Sequence, residues 1–199
     1  MTDNGKKEKF LELLRSTNRD GIEELIAYLE KETDFFTAPA STKFHNNFAG
    51  GLLEHSLNVY ENFTDLLGMK GIEMKEESVI LCSLLHDVCK SNSYVLNERN
   101  RKNKETGKWE SYTVWETDRD IREDLLPHAS RSLRILRRFI KLSNLEELVI
   151  FYHMGPYGGG RDDFEYSNML KRVNTLYPQT LLFYAADLIS AYMDEKTVE

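Results

Sequence analysis

Cysteine is nearly absent: Cys82 and Cys89 are the only two in the chain. Seven positions apart on one predicted helix, they stand about 10 Å apart along its axis, beyond the reach of a disulfide. Reduced, buried thiols are the expectation. No apolar run approaches the roughly 18 to 20 residues that a membrane-spanning helix needs. The opening Met1-Thr2-Asp3-Asn4-Gly5-Lys6-Lys7 has no apolar core of the kind a signal peptide carries, so a cytoplasmic address with no membrane partner is expected. Positive charge is not in excess either. Lys and Arg number 26 against 33 Asp and Glu, a formal net charge of −7, which argues against strong global attraction to nucleic acid. Neither a Gly-x-Ser-x-Gly elbow nor a Walker-type glycine loop occurs, so serine-hydrolase and P-loop chemistry have no foothold. Repeats and low-complexity segments are missing as well.

What is present is mostly helical patterning. With 199 residues, 41% of them hydrophobic, the chain is long and apolar enough for one folded domain with its own core. A short amphipathic helix is predicted over residues 6–16 on Phe10, Leu13 and Leu14. Asp20 and Glu23 form a capping-box pair for a second helix reaching Lys31. After a loop through residues 37–47, the stripe Leu52, Leu53, Leu57, Tyr60, Phe63, Leu66 and Leu67 predicts a long helix that Gly68 and Gly71 close. The next helix, from Glu76 to about Cys89, delivers His86 and Asp87 at its end. Residues 94–117 change character. A basic arm, Arg99 to Lys104, leads through the turn 105–108 to Trp109-Glu110-Ser111-Tyr112-Thr113-Val114-Trp115, and the segment reads as an inserted β-hairpin. Pro127 opens a helix predicted to reach Lys141, and Ser143 with Glu146 caps one ending near His153. A short helix is expected over residues 168–174, and a last one after Pro178 carries Asp187. The fold class expected is all-α with a small inserted hairpin.

The five histidines, His45, His55, His86, His128 and His153, are the chemistry on offer. Imidazole and carboxylate together suit divalent Mn²⁺, Fe²⁺, Ni²⁺ or Zn²⁺. Adjacent helix residues point about 100° apart, so His86 and Asp87 reach one ion only where their helix ends or the ion sits over its edge. His55, His86, Asp87 and Asp187 are the candidates for one shell. His128 and His153 are candidates for a second ion, with Asp87 as bridge. Two ions roughly 3.5 to 4 Å apart suit attack of hydroxide on phosphorus.

Five elements occur in order: Gly50-Gly51-Leu52-Leu53-Glu54-His55-Ser56, Leu85-His86-Asp87-Val88-Cys89-Lys90, Leu126-Pro127-His128, Tyr152-His153-Met154-Gly155 and Ala185-Ala186-Asp187-Leu188. Together, over about residues 43–194, they resemble the HD-domain family of metal-dependent phosphohydrolases. The resemblance implies an all-helical bundle, one domain over 1–199 with N-terminal helices in 1–42, a metal-binding core over 43–194 and the hairpin at 94–117 as an insertion. It implies a first metal on His55, His86, Asp87 and Asp187, and a second on His128 and His153, as one or two divalent transition ions, with Mg²⁺ as an alternative. The Gly-Gly-Leu-Leu-Glu-His element is similar to the branch that includes a bacterial 3′–5′ exoribonuclease. That branch usually carries an OB domain ahead of the HD domain, for which no room is expected here. The family's usual His-Asp-Ile-Gly-Lys is here His86-Asp87-Val88-Cys89-Lys90.

The function expected is hydrolysis of a phosphomonoester or phosphodiester of a nucleotide by metal-activated water, with Asp87 and Lys90 as catalytic residues. Lys90, Arg131, Arg161 and His45 are the candidate substrate contacts, although His45 and the cationic row Arg131, Arg134, Arg138 and Lys141 also read as plain surface. Trp109, Tyr112 and Trp115 offer rings for a base but ordinarily pack on their own hairpin. The alternatives are a non-catalytic nucleotide-binding or signalling module and an exoribonuclease. The partner expected is a small phosphorylated compound. Nucleic acid is the less favoured one, and the oligomeric state is not legible.

Overall fold

In the computed structural model, residues 3–159 and 163–197 are described. Nine α-helices and one two-stranded hairpin occur among them: α1 Asp3–Ser16, α2 Ile22–Lys31, α3 Gly51–Lys70, α4 Glu76–Leu85, β1 Tyr94–Lys102, β2 Trp109–Thr117, α5 Arg119–Glu123, α6 His128–Leu136, α7 Asn144–Phe151, α8 Phe164–Leu176 and α9 Pro178–Ile189. The strands pair antiparallel, with Tyr94 opposite Thr117 and Lys102 opposite Trp109. No helix of the described residues is long and apolar enough to cross a membrane.

The long helix α3 lies at the centre and packs on α9, α4 and α1. Its residues Leu52, Val59 and Phe63 are fully buried, with Phe10, Leu14, Leu81, Leu84, Leu85 and Phe183 around them. Each such side chain contributes about 1.5–3 kcal/mol through burial. Phe63 meets Phe183 of α9 edge-on, with ring centroids 5.0 Å apart. This apolar packing fixes α3, α4 and α9 relative to one another, and those helices carry the buried polar residues described below.

Several helix ends differ from expectation. The Asp20 capping box does not form. Gly21 caps α2 at φ +84 without a side-chain bond, and Glu23 instead pairs with Arg15 at 3.1 Å. Gly68 stays inside α3, and Gly71, at φ +62, ends it. The helix opened by Pro127 stops at Leu136 rather than Lys141. Local turns at 138–140 take over, because they carry Phe139 onto Tyr28 (centroids 5.0 Å) and Ile140 into the core. Arg138 and Lys141 therefore do not continue the helical face of Arg131 and Arg134. α8 is longer than expected, and α7 ends at Phe151, two residues before His153. The Ser143–Glu146 capping box forms as expected.

The break after α4 has the most consequence. The helix ends at Leu85; His86 is still helical at φ −56, ψ −34, but Asp87 turns to φ −105, ψ 17, and Val88–Lys90 forms a 3₁₀ turn. That change of direction lets two consecutive side chains point at one centre.

Candidate metal centre

Five chain segments converge at one point: His55 from α3, His86 and Asp87 from the end of α4, His128 from the first turn of α6, His153 just beyond α7, and Asp187 from α9. His55 and His86 are fully buried and Asp87 nearly so. Asp87 is the hub. Its Oδ2 lies 3.6 Å from His55 Nε2, 3.5 Å from His86 Nε2 and 2.6 Å from Lys90 Nζ. Its Oδ1 lies 2.5 Å from His128 Nε2 and 3.5 Å from His153 Nε2. Asp187 Oδ1 closes the first side at 3.3 Å from His55 Nε2. One carboxylate thus faces two groups of imidazoles through its two oxygens.

Backbone carbonyls set two of the rings. His86 Nδ1 is 3.0 Å from the Ser83 carbonyl and His153 Nδ1 is 2.7 Å from that of Ile150. A carbonyl only accepts, so each Nδ1 carries the proton and each Nε2 turns a lone pair inward. His153 Nε2 is buried with no hydrogen-bond partner. Lone pairs aimed at a carboxylate leave an arrangement that a cation reconciles, and the donor set of imidazole and carboxylate suits a divalent transition ion. The groups His55, His86, Asp187 and His86, Asp87, His153 are each compact enough to hold one.

The electrostatics follow from burial and neighbours. Burial alone pushes His55 down, but hydrogen bonds to Asp187 and Glu195 carry it up to about 10. His128 likewise rises to about 9, against burial, because of Asp87. His86 falls to about 3 through burial, which Asp87 only partly offsets. Burial raises Asp87 and Asp187, yet Lys90 and the imidazoles hold the first, and His55 the second, well below the usual carboxylate range. Lys90 is held above its ordinary value by Asp87 despite burial.

The centre opens into a cavity of about 680 Å³. Asp87, Lys90, His128 and Asp187 form part of its wall, with Phe44, Tyr94, Tyr157, Tyr184 and Tyr192 around it. His45 also lines it, its ring tilted against that of His55 with centroids 5.1 Å apart, and is half-buried rather than a free surface histidine. Arg131 is not part of the described cavity wall. Arg161 lies outside the described residues. The two arginines of the basic hairpin arm are engaged locally: Arg99 pairs with Glu116 and Arg101 lies over the Tyr112 ring. Trp109 stands 72% exposed on the hairpin, away from the cavity wall.

Both thiols are free and buried. Cys89 Sγ lies 3.2 Å from His128 Nδ1, so the residue at the position of the usual glycine touches a site histidine. Gly155 needs its flexibility: at φ +52, an added Cβ would fall 2.6 Å from the Tyr184 ring. Sequence reasoning missed Tyr94, read only as the start of a strand, and Glu195, whose Oε1 sits 2.8 Å from His55 Nδ1. No local signal marks Glu195, which lies beyond the last helix in extended backbone at φ −100, ψ 152.

A helical bundle that gathers histidines and aspartates from separate helices around a buried carboxylate defines a class of metal-binding helical proteins. Within that class the chain belongs to the HD-domain family, whose sequence pattern matches residues 52–192. HD domains bind divalent metals. The chain is also similar to a dihydroneopterin 2′,3′-cyclic phosphate phosphodiesterase from Methanocaldococcus jannaschii, with 32% identity over 85 residues. That match covers 41% of this chain and 31% of the relative, so the chain matches less than a third of that protein's length. No solved structure matches significantly.

Proposed function

We propose that the protein is a metal-dependent phosphohydrolase that cleaves a phosphomonoester or phosphodiester of a nucleotide-like compound. The observation that carries this reading is the two-sided Asp87 carboxylate, with Oδ2 toward His55 and His86 and Oδ1 toward His128 and His153. His55, His86, Asp87 and Asp187 would hold one divalent ion; His128 and His153 would hold another, with Asp87 shared. Such ions supply a Lewis acid that activates water at neutral pH and counter-charge for the phosphoryl oxygens.

The chain's own residues do the rest. Asp87 fixes the spacing of the two halves and keeps Lys90 beside them through the 2.6 Å ion pair. Lys90, the one lysine or arginine among the described wall residues, turns its ammonium to an incoming phosphate as a point charge. The tautomers of His86 and His153, set by the Ser83 and Ile150 carbonyls, keep both Nε2 atoms directed inward before any ligand arrives.

The wall composition favours a phosphoryl compound that carries a flat ring. The rings of Phe44, Tyr94, Tyr157, Tyr184 and Tyr192 supply faces for a planar heterocycle beside the Lys90 ammonium. Phe44, Tyr157 and Tyr192 are 73%, 76% and 83% exposed, as a rim that meets a ligand must be. The relative named as a cyclic phosphate phosphodiesterase supports the diester branch of this reading.

The test is hydrolysis of a panel of nucleoside monophosphates, 2′,3′-cyclic and 3′,5′-cyclic nucleotides and single-stranded RNA with Mn²⁺, Ni²⁺ or Mg²⁺. Turnover of a mononucleotide, lost in His86→Ala, supports the reading. Nucleotide binding without product would favour a non-catalytic module, and turnover of RNA alone an exoribonuclease.

A further inference from the structure

Glu195 follows the last helix and its π-helical continuation, Ser190–Asp194. Its side chain is fully buried although the tail around it is exposed. Burying a carboxylate costs several kcal/mol unless it is paired. Its partner here is a site histidine: Glu195 Oε1 is 2.8 Å from His55 Nδ1 and 3.4 Å from Asn58 Nδ2. Oε2 is buried with no partner. His55 Nδ1–H therefore donates to Glu195, and Nε2, on the far side of the ring, faces Asp87 and Asp187.

The tail that carries Glu195 is pinned by the loop preceding α3. The Asn46 amide donates to the Lys196 carbonyl at 2.7 Å, and the Lys196 amide to Asn46 Oδ1 at 3.4 Å. Asn46 is itself fully buried, at φ +42, and its carbonyl accepts from Ala40 at 3.0 Å. Gly51 makes room for this: a Cβ there would come within 2.0 Å of the Asn46 oxygen. The second glycine of the Gly50-Gly51 pair thus admits the loop, the loop pins the tail, and the tail places the carboxylate.

We propose that Glu195 is a positioning residue of the metal centre, holding the His55 ring through Nδ1 so that Nε2 presents its lone pair to an ion. This rests on the reading that His55 is a metal ligand. A carboxylate behind a ligating imidazole fixes the ring's tautomer and orientation and raises its basicity, and loss of such a partner typically lowers metal affinity about 10- to 100-fold.

The test uses the full chain with ¹⁵N-labelled histidine, comparing wild type with Glu195→Gln, Glu195→Ala, Glu195→Asp and Gly51→Ala. Histidine NMR of the metal-free protein follows the His55 Nδ1 proton, and calorimetric titration with Mn²⁺ gives affinity. We expect a slowly exchanging, hydrogen-bonded Nδ1 proton in wild type that is lost in Glu195→Ala. Mn²⁺ affinity should fall about 10- to 100-fold in Glu195→Ala and less in Glu195→Gln, with part of the loss recovered in Glu195→Asp. Glu195→Gln keeps the shape of the tail, so a merely structural tether would leave its affinity at the wild-type value while Gly51→Ala lowered it. That pattern, or an unchanged Nδ1 proton in Glu195→Ala, overturns the proposal. If wild type took up no Mn²⁺, the metal reading would fail by itself, and the Nδ1 proton would still decide whether Glu195 holds the ring.

Discussion

Two buried carboxylates, Glu146 and Asp87, keep opposite kinds of company. Glu146 is fully buried and every oxygen is answered by a donor. Arg19 binds it with two nitrogens, at 2.7 and 3.2 Å, the Ser78 hydroxyl donates at 2.7 Å and the Ser143 amide at 2.6 Å. Asp87 has one ammonium and one short imidazole contact, but it also faces the inward lone pairs of His86 and His153. The first cluster is electrostatically closed and joins the α1–α2 turn to α4 and α7. The second is open to a cation. Buried charge alone does not mark a site; acceptors gathered around a carboxylate do.

Breaking Asp87 should have the largest effect. Asp87→Ala should abolish metal uptake and hydrolysis together, read by elemental analysis and product formation, with helix content by circular dichroism little changed. Breaking the closed cluster should do the reverse. Arg19→Ala leaves Glu146 buried without its counter-charge, and chemical denaturation should show a loss of about 3–5 kcal/mol while metal content is retained. A smaller effect is expected from Lys90→Ala: metal stays bound, and hydrolysis falls about 10- to 100-fold, the worth of one charge-assisted bond of about 1.5–3 kcal/mol.

The smallest effect sharpens the same contrast through pH. Burial raises Glu146, but Arg19, the Ser143 amide and the Ser78 hydroxyl outweigh it and hold the carboxyl below its ordinary 4.5. A depressed folded-state pKa contributes stability that is full above about 4.5 and is lost as pH falls through the lower folded value. Denaturation midpoints of wild type should therefore drop below pH 4.5, and Glu146→Gln should lack that component.

The cluster was largely legible in the sequence because its histidines and aspartates sit in short, ordered elements with apolar flanks. His86 and Asp87 required a helix end, and the chain supplies one at Leu85. The hairpin was legible from its β-branched and aromatic strand and its turn. What stayed hidden depends on tertiary packing. Phe139 packing on Tyr28 and Ile140 entering the core end α6 early, which no local signal at residues 137–141 announces. Gly21 replaces Asp20 as a cap because the chain turns there beneath the Phe139 carbonyl, where a Cβ would lie at 1.9 Å. Glu195 sits in a polar tail with no periodicity, and only the buried ring of His55 gives it meaning.

The central claim is that Asp87 would serve two divalent-ion sites, one with His55, His86 and Asp187 and one with His128 and His153. Elemental analysis of purified protein after exposure to Mn²⁺, for wild type and Asp87→Ala, tests it most directly. Two ions per chain in wild type and none in the variant is the predicted result. A wild type that binds fewer than two divalent ions, or a variant that binds as many as wild type, would contradict it.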